Sequence, residues 1–180
     1  MSKSKLVVVV LTLCIVSSCA TNQTKNQTEN TVTTPNANGE TKQARNSRDV
    51  VKATGLPTEI KRNETGDAVV EVSIEKGYHV NANPPTLPYL KATELEIAPP
   101  PGTSISFIVY PNAISKTFAF SDKPLSVYEG TTTIKAKLKV DKSATPGTQN
   151  LSGKLNVQAC DDQVCYAPGT LDVSIPLSIK

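Results

Sequence analysis

Tryptophan is absent from this sequence, and histidine and methionine occur once each. Phenylalanine occurs three times and tyrosine five. A core must therefore be built from Val, Ile and Leu, residues that favour strands. No apolar run reaches the ~20 residues that a membrane-spanning helix needs. No charge of one sign prevails either. From Asp49 onward there are 13 basic and 14 acidic residues. A near-neutral chain with no basic stripe interleaved with aromatics gives no electrostatic case for nucleic acid. Nucleophile-elbow, phosphate-loop and paired-carboxylate motifs are all missing. Two Cys and one distant His are a poor zinc site, since four ligands are usual. Neither metal nor cofactor is expected. Proline, by contrast, is plentiful at 13 residues, most of them in the second half, which argues against long helices there.

Residues 1–18 read as a signal peptide. Lys3 and Lys5 give a positive start, and the apolar run 6–16 has the length of a signal h-region. The run ends in Val16-Ser17-Ser18-Cys19, which resembles a bacterial lipobox, so Cys19 is expected to be lipidated. Cys14 would leave with the leader. Ala20 follows Cys19, and resemblance to the sorting rule for such lipoproteins permits outer-membrane transfer. The expected location is the periplasm-facing cell envelope, reached through a lipid anchor. Residues 19–49 are rich in Thr, Asn and Gln, and Val32 is their one branched aliphatic residue. Such a segment cannot bury enough apolar surface to offset its ordering entropy, so it is read as a disordered tether.

From about Val50 the texture changes. Val70, Val72 and Ile74 alternate with Glu71, Ser73 and Glu75. Leu95 and Ile97 form a second set, and Ile105, Phe107 and Val109 a third. Ile134, Ala136, Leu138 and Val140 are separated by Lys135, Lys137 and Lys139. Leu151, Gly153, Leu155, Val157 and Ala159 follow, and Leu171, Val173, Ile175, Leu177 and Ile179 close the chain. Period two with one polar face predicts half-buried strands of antiparallel sheets. Turn signals stand between them at Lys76-Gly77, Pro99 to Gly102, Pro146-Gly147 and Pro168-Gly169. Seven to nine short strands over 50–180 predict an all-β, immunoglobulin-like antiparallel β-sandwich, with a small barrel as the alternative. Pro176 cannot donate a ladder hydrogen bond, which puts the last strand at an edge or a bulge.

Cys160 and Cys165 remain, in the segment QACDDQVCYAPG. In an oxidising compartment two nearby thiols usually pair. Closing so short a loop contributes only ~2 kcal/mol in the chain-entropy model, which makes a weak staple. If Leu155, Val157 and Ala159 face the core, Cys160 faces away from it, and exposure suits a thiol that meets a partner. Asp161 and Asp162 add negative charge, which disfavours thiolates and makes the couple more reducing. The spacing is not Cys-x-x-Cys and no βαβ pattern surrounds it, which excludes a thioredoxin fold. His79 is set aside as the partner of a cysteine nucleophile and read as a half-exposed strand residue.

The stretch 66–177 resembles the N-terminal periplasmic domain family of the thiol:disulfide interchange protein DsbD. The resembling pieces are Gly77-Tyr78-His79-Val80-Asn81 with Pro84-Pro85, Phe118-Ala119-Phe120-Ser121-Asp122, and Val127-Tyr128-Glu129-Gly130. The most specific is Val157 through Cys165 followed by Pro168. The resemblance implies an immunoglobulin-like fold and dithiol–disulfide exchange by Cys160 and Cys165. It implies electrons arriving from a membrane-embedded thiol reductant and passing to oxidised envelope proteins. It also implies an aromatic cap over the pair, with Phe118 and Phe120 as candidates beside plain core packing, and places Tyr78 and Asn81 near the site. The family's full-length protein continues into a multi-span segment and a thioredoxin-like domain. This sequence ends at Lys180, so the reductant is expected to act in trans. Two further readings stand beside the exchange module. One is a non-catalytic sandwich that binds an envelope protein, its disulfide only a hairpin clamp. The other is an anchored structural or solute-binding lipoprotein.

Overall fold

A computed structural model describes residues 46–180 of the chain. The expected signal peptide, the expected lipidation at Cys19 and the expected tether up to residue 45 lie outside the described residues. Twelve strands follow one another among the described residues. They are β1 (Val51–Gly55), β2 (Thr58–Ile60), β3 (Thr65–Ile74), β4 (His79–Asn81), β5 (Glu94–Ala98) and β6 (Thr103–Val109). Then come β7 (Ile114–Lys116), β8 (Leu125–Tyr128), β9 (Thr131–Val140), β10 (Gly147–Val157), β11 (Ala159–Cys160) and β12 (Gly169–Ile179). They make three four-stranded sheets, ordered β1-β3-β9-β6, β2-β12-β10-β5 and β11-β4-β8-β7. Every pairing is antiparallel except β2 with β12. The expectation of an all-β, immunoglobulin-like antiparallel sandwich is met.

The period-two sets explain why the first two sheets close on each other. Val70, Val72, Ile134, Ala136 and Leu138 from one sheet share a single buried cluster with Leu151, Leu155, Val173, Ile175 and Leu177 from the other. Each buried Leu, Ile or Val contributes about 1.5–3 kcal/mol relative to exposure. The opposite face of β9 carries its lysines, and Lys137 meets its register partner Asp67 on β3 at 2.6 Å. The Lys76-Gly77 signal ends β3 in a turn where Gly77 has φ 88°, a left-handed conformation that favours glycine.

Two strand expectations need correction. Ile105, Phe107 and Val109 do not share a face. A register shift between Ile105 and Phe107 against β9 breaks the alternation. Ile105 and Ile108 pack on the core, whereas Phe107 and Val109 are exposed. The strand with Pro176 is not at an edge, since β12 lies between β2 and β10. Its pairing with β2 covers only Leu177 to Ile179, so on that side Pro176 precedes the ladder and its missing N–H breaks no rung.

The folded part also starts earlier than the composition change at Val50. Asn46 caps a single 3-10 turn, Ser47–Asp49, in a capping box: the Asn46 side chain accepts from the Arg48 N–H and the Asp49 carboxylate from the Asn46 N–H. Ser47 is fully buried.

Candidate functional site

The third sheet holds the cysteines. β10 ends at Val157, and the chain crosses to β11, which pairs with β4 so that Ala159 stands opposite Val80 and Cys160 opposite His79. Ala159 and Val80 belong to the main core. Alternation therefore puts Cys160 and His79 together on the other face of this small sheet. That much agrees with the sequence reading. The expected exposure does not: Cys160 is 0% exposed. The face turned away from the main core has its own cover. Phe118, Leu125 and Val127 form a second buried cluster against Leu87 and Leu90, and the Phe118 ring stacks on His79 with centroids 4.0 Å apart. The same cover corrects the reading of His79 as half exposed, because it too is fully buried. Phe118 is thus the inner of the two aromatics, packed directly on His79. Phe120 stacks on it at 5.3 Å but remains 39% exposed.

Cys160 and Cys165 are joined by a disulfide across a hairpin, with Cα atoms 3.9 Å apart, and Cys165 is partly exposed. The hairpin is built by Asp161. Its carboxylate accepts from the backbone N–H groups of Gln163 at 2.8 Å and Val164 at 2.9 Å, and from the Tyr166 hydroxyl. Burial, then the neighbouring Asp161 carboxylate, raises the Tyr166 pKa above its ordinary value, so the phenol stays a donor. Tyr166 also packs against Tyr78, with ring centroids 5.9 Å apart. Asp162 points outward, 3.7 Å from the Lys116 ammonium, which in turn binds Glu129 at 2.5 Å and lies 5.3 Å from the Phe118 ring centroid. The hydrogen bond to Glu129 is the main reason the Lys116 pKa is raised. The negative charge expected around the thiols is therefore largely committed, Asp161 to the turn and Asp162 to Lys116.

Asn81, two residues along β4 from His79, continues the same face. Its side chain donates to Gln158 Oε1 at 3.1 Å and to the Lys91 carbonyl at 3.1 Å, and Gln158 Oε1 also accepts from the Lys91 N–H. The structure thus brings Cys160, Cys165, Tyr78, Asn81, Asp161 and Phe118 into one region, with Asp162 and Phe120 at its rim. Sequence reasoning missed His79, Lys116, Gln158 and Ser47 there. The dipeptide Tyr78-His79 next to a turn was a signal for the first. The others are read only from pairing.

Ser47 ties the base of the hairpin. Its hydroxyl donates to the Ala167 carbonyl at 2.6 Å and accepts from the Ala159 N–H at 2.9 Å, while its own N–H reaches the same carbonyl at 3.1 Å. Gly169 leaves room for this strap, since a Cβ there would stand 2.5 Å from Asn46 Oδ1 and 2.8 Å from the Arg48 nitrogen. Ser47→Ala leaves the buried Ala159 N–H without a partner. A loss of about 1–3 kcal/mol in unfolding free energy is expected, read as a lower urea midpoint at unchanged slope.

Among the described residues no helix is long and apolar enough to cross a membrane. The N-terminal periplasmic domain of ScsB from Proteus mirabilis superposes with a TM-score of 0.46 at 18% identity, covering 71% of this chain and 45% of that one. The match thus spans under half the length of that chain. The DsbD N-terminal domain of Neisseria meningitidis in its reduced form superposes with a TM-score of 0.42 at 16% identity, covering 63% of this chain and 79% of that one. No curated protein matches the chain in sequence. The family model described as "Thiol:disulfide interchange protein DsbD, N-terminal" matches residues 50–176, which take in the third sheet and the whole Cys160–Cys165 hairpin. A match over that much of the sequence, on the segment that carries the cysteine pair, means that the chain belongs to the family of DsbD N-terminal domains.

Proposed function

We propose that this protein is a periplasmic thiol–disulfide exchange module working through Cys160 and Cys165. The observation that carries the reading is the Cys160–Cys165 disulfide in a hairpin of a domain belonging to this family. The two cysteines are unequal: Cys165 is partly exposed and Cys160 is fully buried. A thiolate of a partner dithiol attacks the Cys165 sulfur, forming a mixed disulfide. The electron pair of the broken bond passes to the Cys160 sulfur. The partner's second thiol then displaces Cys165, and the domain is left as a dithiol while the partner becomes the disulfide. An oxidised envelope protein takes the electrons by the reverse sequence. The proposed reductant is a membrane-embedded thiol protein acting in trans, with lipidation at Cys19 holding the domain at a membrane and the residues between Cys19 and Asn46 as its tether. Phe118 is the proposed shield.

The test is the redox equilibrium of the pair in glutathione and dithiothreitol buffers, with alkylation to count free thiols. A reversible couple between roughly −120 and −270 mV is expected. The full burial of Cys160 favours a second reading, an envelope-protein-binding sandwich with a structural clamp. That reading requires a bridge that resists reduction until the domain unfolds, with a potential below about −300 mV.

A further inference from the structure

His79 is the one fully buried ionisable side chain among the described residues for which the exchange reading above supplies no role. It is 0% exposed, yet neither ring nitrogen has a hydrogen-bond partner. Leaving buried polar atoms unpaired is costly, and native structures seldom do so without a reason. The ring's position supplies one. His79 is the register partner of Cys160 across β4 and β11, so the two side chains leave the same face of the sheet side by side. Phe118 stacks on the imidazole and closes that face to water. While the disulfide is intact, its sulfurs offer no proton and only weak acceptors. Once the bridge opens, the same place holds either a thiolate, which accepts a strong hydrogen bond, or a thiol, which can donate one.

We infer that His79 is the hydrogen-bond partner of the Cys160 sulfur in the reduced and mixed-disulfide states, its ring N–H held ready for the thiolate that leaves when the bridge is attacked. The inference rests on the exchange reading and deepens it. When a partner thiolate bonds to the Cys165 sulfur, the Cys160–Cys165 bond breaks and its electron pair goes to the Cys160 sulfur. The neutral imidazole donates its N–H to that anion, and a proton taken up later from solvent gives the thiol. Burial, assisted by the Lys116 cation, keeps the ring neutral at physiological pH against the opposing pull of Glu129, Asp162 and Asp161. A neutral ring has one donor and one acceptor, so it serves the thiolate and the thiol in turn. The effect on the couple is thermodynamic as well: a partner available only after reduction stabilises the reduced form and raises the potential.

The experiment uses the full chain in two settings. In a Cys165→Ala background the Cys160 thiolate is followed by its ultraviolet absorbance as pH is raised. His79→Phe is expected to raise the Cys160 thiol pKa by one unit or more relative to His79, a tenfold loss of thiolate. His79→Gln, which keeps an N–H donor, is expected to recover part of it. With both cysteines present, His79→Phe is expected to shift the glutathione equilibrium at least tenfold towards the disulfide. Equal Cys160 pKa values for His79, His79→Phe and His79→Gln overturn the inference. Should His79→Phe fail to fold, the comparison of His79→Gln with His79→Leu decides by the same readout. A native bridge that cannot be reduced sinks the exchange reading, while the Cys160 titration still reports on His79 by itself.

Discussion

With Cys160 replaced by alanine, the remaining Cys165 thiol should react with a small aromatic disulfide on the order of 100-fold faster than the Cys160 thiol left by Cys165→Ala. Both variants lose the same bridge, and with it ~2 kcal/mol of loop constraint, so loosening of the hairpin cancels from the comparison. What differs is access. Cys165 is partly exposed at the end of the hairpin, beside the exposed Val164. Cys160 is fully buried on the face it shares with His79, and on that face the Phe118 ring covers His79. Its reaction requires that cover to open locally. An opening that costs about 3 kcal/mol, between fraying and global unfolding, slows it by about 10². Stopped-flow thiolation of the two variants measures the ratio. Equal rates would mean that the cap stands open in solution and that either sulfur can meet a partner. The same asymmetry makes Cys160→Ala the variant that should hold mixed disulfides with envelope proteins, because no second thiol is left to resolve them.

The sandwich was legible because its long strands carry clean alternation. The Lys-separated set of β9 and the closing set of β12 both have one buried face, and a period of two admits no other packing. The third sheet was not legible, since β4 and β7 have three residues each and β11 has two, too short for any period to register. Those short strands carry the site. Parity counted along β10 gave the correct face for Cys160 and the wrong exposure. Pattern shows which way a side chain leaves a strand, but not what another loop lays over it. For the same reason His79 looked half exposed. The bulge in β6 was equally hidden, because Ile105, Phe107 and Val109 alternate in sequence and only the register against β9 shows the slip. Ser47 lay in a segment whose composition argued for a tether, and three hydrogen bonds at the hairpin base outweigh that composition locally.

Lowering the pH from 8 to 4 should cost the oxidised protein about 3 kcal/mol of unfolding free energy through His79 alone. Its pKa falls from 6.5 to about 4 on folding, first because burial disfavours the imidazolium and then because the Lys116 cation repels it. A group whose pKa is lower in the folded state takes up its proton in the unfolded state first. Unfolding is therefore favoured as pH falls below 6.5, and the loss is complete near pH 4, where the folded state also protonates. A fall from 6.5 to about 4 corresponds to about 3 kcal/mol. Carboxylates titrate towards the lower end of the same window, so the measurement is the difference between the native chain and His79→Phe in urea midpoints from pH 8 to pH 4. The variant's curve should be flatter by about 3 kcal/mol between pH 6.5 and pH 4, and parallel curves would mean that water reaches the ring. Lys116→Gln supplies the second axis. It removes the repelling cation and leaves Glu129, Asp162 and Asp161 facing the ring. The His79 pKa should then rise towards 6.5 and the acid loss should shrink, although the Lys116–Glu129 ion pair has gone. A surface ion pair lost for its own sake would lower stability at every pH alike above the carboxylate range. A smaller slope from pH 6.5 down to the onset of carboxylate titration is therefore specific to the buried imidazole.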